Sequence, residues 1–299
     1  MIRYKVTKKN LEKLIEAESP KWLESASLKT AGFKKLKRYK ETGKKGANWR
    51  SVVKVYMNIQ RNKCAYCERK LEGGDAGTIE HDIEHFRPKS KVRGWPTAKL
   101  KKELQLDYKF TTGEASDVGY YLLPYNIFNY ITSCKVCNTI FKSDYFPISG
   151  KKRLTDSDDF KKLKTEKPFL LYPLGSIDVD PQKVITFQGM IPIAVAAEGK
   201  ANYYRARVTI DFFRLGVARE DLIRERALVI KALYLAYQNR NSRNRVNRED
   251  ALLTIDMALS DSAPHANCAR SFYSTCRDDP PMARKYYDAA VAYLKSKGY

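Results

Sequence analysis

Apolar residues recur with a helical period at both ends of the chain and with a strand period before its middle. Leu11, Leu14, Ile15 and Trp22 fall on a helix-like spacing that Pro20 interrupts. Between Lys29 and Lys45, Phe33, Leu36 and Tyr39 return every third residue among lysines. This pattern predicts a helix with one narrow apolar stripe and a cationic surface, closed by the glycines at 43 and 46. Val52, Val53, Val55, Tyr56 and Ile59 predict a further helix over 49–60. Residues 78–86 then change period. Ile79, His81, Ile83 and His85 alternate with other residues, so they share one face of a strand that Pro88 stops. A turn is expected at 72–75, a polar loop at 89–118, and a short helix from 138.

The second half reads as mixed. Residues 169–173 and 184–187 are extended in pattern, and Gln188-Gly189 ahead of Met190 to Ile193 predicts a hairpin. From about residue 202 the period is helical, with Leu222, Ile223, Ala227, Ile230, Leu233, Tyr234 and Tyr237 forming one stripe. Helices over 249–260 and 282–297 follow an arginine-rich turn at 239–248, the last one started by Pro280-Pro281. The expected class is α+β, in three regions: a basic helical segment (1–60), a compact core (61–147) and a mainly helical remainder (148–299).

Charge adds a partner to this picture. The 299 residues hold 56 Lys and Arg against 34 Asp and Glu, a net charge of +22. Residues 1–60 alone carry 16 basic and 5 acidic residues, half of the excess. Clustered Lys and Arg bind polyanions by releasing counterions, so nucleic acid is the expected partner. Lys34, Lys35, Lys37 and Arg38 are its expected backbone contacts. No apolar run approaches the roughly 18–20 residues of a membrane span, and the first residues lack a signal-peptide core, so the expected location is the cytoplasm.

Cysteines add a metal. Cys64 and Cys67 form one Cys-x-x-Cys pair and Cys134 and Cys137 another, whereas Cys268 and Cys276 stand apart as expected inert thiols. Two such turns deliver four thiolates to one tetrahedral zinc ion, a closed structural site with no open position for chemistry. Two of the chain's three histidines, His81 and His85, lie between the pairs. A histidine near neutrality takes a proton from water, and a carboxylate beside it holds a hard divalent cation. Glu84, His85 and Asn138 thus suit one-metal phosphodiester hydrolysis: His85 activates water while Glu84 and Asn138 hold Mg²⁺ or Mn²⁺. Arg87 and Lys142 are candidate phosphate contacts, and Asn129 a candidate brace for the loop that carries His85.

These residues resemble the HNH endonuclease family in its four-cysteine, zinc-bearing branch. The likeness rests on Cys64 to Glu68, Ile83 to Ser90, Asn129, Ser133 to Asn138, and Phe146-Pro147. It is nearest to the HNH subunit of Septu and retron-associated anti-phage systems, whose C-terminal half is similar at Glu166 to Pro173 and Thr209 to Asp211. The resemblance implies a ββα-metal core, His85 as general base, Asn129 as the middle asparagine and Asn138 in place of the final histidine or asparagine. Glu84 stands where many relatives carry aspartate. Lys142 falls one residue later after Asn138 than in many relatives. The resemblance further implies an ATPase partner of the ABC/SMC-like type. DNA is the favoured substrate; cleavage of RNA such as tRNA, and a non-catalytic zinc-stapled binding module, are the competing readings.

Overall fold

The computed structural model describes residues 1–41, 47–72 and 80–299. They form two compact units, one of residues 3–62 and 71–179, the other of 1–2, 63–70 and 180–299.

The first unit opens with helix α1 (Lys8–Glu18), whose N-terminus is capped by Thr7 Oγ1 accepting from the Asn10 amide. Leu11 and Ile15, four residues apart, are its buried residues. Pro20 separates it from α2 (Trp22–Leu36), which buries Trp22, Ala26 and Phe33. Here the structure corrects the expectation of a basic helix reaching Tyr39. The helix stops at Leu36 because Lys37 adopts a left-handed conformation (φ 51°). Phe33 is the only stripe residue it buries, and Leu36 is half exposed, so no apolar face remains to extend it. Tyr39 leaves the helical path and packs against the Phe33 ring at 5.3 Å. The rest of that stretch, 42–46, and the predicted turn and strand start at 73–79 lie outside the described residues.

Helix α3 (Val53–Ile59) follows a 3₁₀ turn, Trp49–Val52, and buries Val55, Tyr56 and Met57. Strand β1 (His81–His85) pairs antiparallel with β2 (Tyr130–Cys134), His81 opposite Cys134 and His85 opposite Tyr130. Between them lie a short helix α4 (Ala98–Glu103) and the 86–129 connection. Every residue of β2 is buried. Gln60 fastens this strand: its side-chain amide donates to the Thr132 carbonyl and accepts from the Thr132 amide, both at 2.8 Å. A π-helical turn, Val136–Lys142, leaves the end of β2.

The second unit contains the predicted hairpin, β3 (Ile185–Gln188) against β4 (Ile191–Ala194), turning at Gly189 with φ 57°. Five helices follow: α5 (Ala201–Phe212), α6 (Glu220–Asn239), α7 (Arg245–Leu259), α8 (Ala266–Asp278) and α9 (Pro280–Ser296). The α6 stripe is buried from Leu222 to Tyr234, and Arg226, buried beside it, donates to the carbonyls of Leu215 and Met190. Helix α7 begins four residues before its predicted start because Asn244 caps it, accepting from the Asn247 amide. Helix α8 carries no separate signal in the sequence pattern. No helix among the described residues is long and apolar enough to cross a membrane.

Candidate functional site

Each cysteine pair is shaped by its own turn. Cys64 and Cys67 sit in a tight bend in which the Cys64 amide donates to Arg69 and the Glu68 amide returns to Cys64, with Glu68 left-handed at φ 62°. Cys134 ends β2, and Cys137 lies in the first turn of the π-helical segment. All four are buried, and their sulfurs lie within 4.8 Å of one another. Sulfurs about 2.3 Å from a common zinc ion stand this close, so the four cysteines fit a tetrahedral zinc-type ion.

His85, at the end of β1, is held from three sides. The Trp49 and Tyr130 rings meet it edge-on at 5.0 and 5.2 Å. Its Nε2 is 3.1 Å from the Pro124 carbonyl, which also accepts from the Tyr130 hydroxyl. A carbonyl only accepts, so Nε2 carries the proton and Nδ1 keeps the lone pair. Burial lowers the imidazole pKa to about 3, and the positive charge of Lys89 adds to the effect, so the ring is neutral at physiological pH.

Glu84 leaves the strand on the opposite face and is buried. Lys142, fully buried at the end of the π-helical turn, places Nζ 3.1 Å from Glu84 Oε1 and 3.5 Å from the His85 carbonyl. Burial drives both groups toward their neutral forms: Glu84 rises to about 7, opposed by Lys142, and Lys142 falls below its usual value. Among the described residues Glu84 Oε1 has the contact with Lys142 and no further hydrogen bond. A buried carboxylate oxygen with a spare lone pair fits a hard cation. Asp144, half-buried after the π-helical turn, and Asp82 on the same strand face add negative charge that raises the Glu84 pKa. Asn138 is half-buried within the π-helical turn itself.

Asn129 is fully buried and ties the chain that leaves β1 to the chain that enters β2. Its Oδ1 accepts from the Arg87 amide at 2.8 Å, and its Nδ2 donates to the carbonyls of Arg87 and Leu123 at 3.0 and 3.2 Å. Two expected phosphate contacts are placed differently. Arg87 is buried, with Nε 3.2 Å from Glu166 and its guanidinium over the Phe146 ring at 4.9 Å. Lys142 is committed to Glu84 as described. Both are interior cations because each has a carboxylate partner distant in sequence. Lys34, Lys35, Lys37 and Arg38 are exposed, as a backbone-gripping surface requires. His81 is buried with Nε2 donating to the Glu72 carbonyl at 3.0 Å, and His265 is buried against Glu225 at 2.8 Å, so each has an internal partner. Sequence reasoning gave no role to Lys89, although it lies within the Ile83 to Ser90 motif, nor to Asp144 and Gln60, which lie a few residues from a recognised motif.

A four-cysteine metal cluster beside a two-stranded hairpin, in a mostly helical α+β chain, is the class these features define. No protein-family model matches the chain, and no solved structure matches it. Among curated proteins it is similar to the Septu protein PtuB of Bacillus mycoides (strain KBAB4), 26% identical over 224 residues, covering 74% of this chain. The match spans 64% of that relative's length. This similarity and the cysteine cluster bear out the resemblance to zinc-bearing Septu HNH subunits.

Proposed function

We propose that this chain is an HNH endonuclease that hydrolyses phosphodiester bonds, DNA before RNA, as the effector of an anti-phage system with an ATPase partner. The observation that carries it is the geometry at His85, whose Nε2–H is fixed on the Pro124 carbonyl so that Nδ1 keeps the lone pair. His85 Nδ1 takes the proton from the attacking water. Trp49 and Tyr130 hold the ring against rotation. Glu84 and Asn138 would hold Mg²⁺ or Mn²⁺, with Asp144 adding charge nearby. When bound, that ion offsets charge developing on the scissile phosphate. The four cysteines bind zinc, which fixes the end of β2 and with it the register that places His85 opposite Tyr130. The exposed lysines of 34–38 grip the nucleic-acid backbone without sequence preference. The relative's name, Septu protein PtuB, supports the defence setting.

The test combines the zinc-loaded protein, the ATPase expressed from the same locus, Mg²⁺, and labelled plasmid or total tRNA. Metal-dependent cleavage of plasmid that His85→Ala slows by about 10²–10⁴-fold is expected, the usual contribution of a positioned general base. Cleavage of tRNA alone would move the substrate to RNA. Cleavage of neither, with binding of both, would reduce the chain to a binding module.

A further inference from the structure

Three cations, Arg87 and Lys89 from the stretch after His85 and Lys142 from the π-helical turn, stand near the end of β1, and folding leaves one of them without an ion pair. Arg87 is neutralised by Glu166 and Lys142 by Glu84. Lys89 is half-buried; Glu41, Asp82, Glu84 and Asp144 act on it from a distance, but it forms no ion pair with a described carboxylate. Its Nζ instead sits over the face of Trp49, 3.9 Å from the ring centroid, and 5.2 Å from that of Tyr39. Trp49 is the residue whose ring meets His85. The cation and the imidazole thus share one indole between them.

The position of Lys89 is built, not incidental. The Gly119 and Tyr120 amides donate to the carbonyls of Ser90 and Pro88 at 2.9 and 2.8 Å, clamping the chain on both sides of it. Gly119 packs so closely that a Cβ there would lie 2.5 Å from the Lys89 carbonyl carbon. Tyr39 brings the other wall, and it directly follows the basic run of Lys37 and Arg38. Half-burying an ammonium on aromatic faces costs desolvation that a cation–π contact only partly returns. An anion arriving beside His85 would return the rest.

We propose that Lys89, seated on Trp49 and Tyr39, is the phosphate-binding residue of this site, holding a phosphodiester oxygen of the strand that His85 attacks. The inference rests on the nuclease reading for the identity of the anion, and it moves the phosphate contact from Arg87 and Lys142 to Lys89. A lysine in this place acts as a point charge on a rigid aromatic seat, so charge matters more than hydrogen-bond geometry.

The test measures binding apart from cleavage. Fluorescence anisotropy with a labelled DNA duplex, on zinc-loaded protein in the His85→Ala background without Mg²⁺, gives log Kd against log salt. Lys89→Met should lower the slope by about 0.9, the amount expected when one phosphate is no longer neutralised, and weaken binding severalfold, whereas Lys89→Arg should keep the slope. With His85 intact, Lys89→Met should slow single-turnover cleavage by about 10²-fold, the scale of removing one electrostatic donor from a reacting phosphate. Zinc content and melting temperature, measured on the same preparations, should match those of the parent. An unchanged slope in Lys89→Met overturns the proposal, and so does a slope that falls equally in Lys89→Arg. Failure of the nuclease reading looks different: wild-type protein that cleaves nothing, with the slope change at Lys89 still present.

Discussion

Replacing Lys142 by Met removes the charge that faces Glu84 and keeps most of the side-chain volume. Lys142 Nζ and Glu84 Oε1 are 3.1 Å apart and both side chains are buried. Two unit charges at that separation attract by about 5 kcal/mol at an effective dielectric of about 20. Half of this, about 2–3 kcal/mol, moves the carboxyl upward by about 2 units at about 1.36 kcal/mol per unit. In the wild type, Glu84 titrates at about 7 in the folded state against 4.5 for the free side chain. A carboxyl raised on folding contributes stability that is complete below the unfolded value and lost as the pH rises through the folded one. The wild type has therefore lost this contribution by about pH 7 and is flat above it as far as Glu84 is concerned. In Lys142→Met the loss continues to about pH 9, roughly another 3 kcal/mol. The depressed pKa of Lys142 works in the same direction, because it adds to wild-type stability as the pH rises toward the usual lysine value. Urea unfolding of both proteins from pH 6 to 9, zinc-loaded and without other divalent ions, measures the difference. The variant should match or exceed the wild type at pH 6 and fall about 2–3 kcal/mol below it at pH 9. Parallel stability curves across that range would refute the coupling of the two groups.

Three further outcomes follow from the same structure. Cys137→Ser should lose stoichiometric zinc and become protease-sensitive, as elemental analysis and limited proteolysis will show, because removing a ligand removes metal-linked folding energy; well-folded wild-type protein without zinc would refute this. Changing Lys34, Lys35, Lys37 and Arg38 together to Gln should lower the salt slope of DNA binding by up to about 3.6, or about 0.9 for each phosphate left without its cation, and should not alter sequence preference; an unchanged slope would assign this surface to another role. Gln60→Leu should cost about 2–5 kcal/mol in urea unfolding, because it leaves the buried Thr132 amide and carbonyl unpaired, and a cost below about 0.5 kcal/mol would mean that β2 re-forms those bonds elsewhere.

What was legible in the sequence was whatever depends on neighbours along the chain. Cys-x-x-Cys spacing fixes two thiols in one turn wherever it occurs, so the pairs could be read before any fold was known. The alternation of His81, Ile83 and His85 and the glycine at 189 were read for the same reason. The basic segment was misread past Leu36 because its third apolar residue, Tyr39, belongs to a tertiary contact and not to a helical stripe. The burial of Arg87 and Lys142 could not be read at all. Whether a cation meets solvent or a carboxylate is decided by Glu166, 79 residues from Arg87, and by Glu84, 58 residues from Lys142.

Net charge alone does not say which cations meet a polyanion. A count of +22 says that a polyanion will be attracted, yet it treats every Lys and Arg alike. At the end of β1 folding has already committed two of three cations to buried carboxylates. Lys142 lies against Glu84, and Arg87, paired with Glu166, anchors the chain that leaves the strand. The charge that remains to meet substrate there is set by pairing and not by composition. Among Arg87, Lys89 and Lys142, Lys89 is the one without an ion pair, and its Nζ lies over the Trp49 ring that meets His85. On the proposed reading, long-range attraction and local chemistry are carried by different residues: the exposed run at 34–38 would bring the polyanion in, and the half-buried Lys89 ammonium would meet it beside His85.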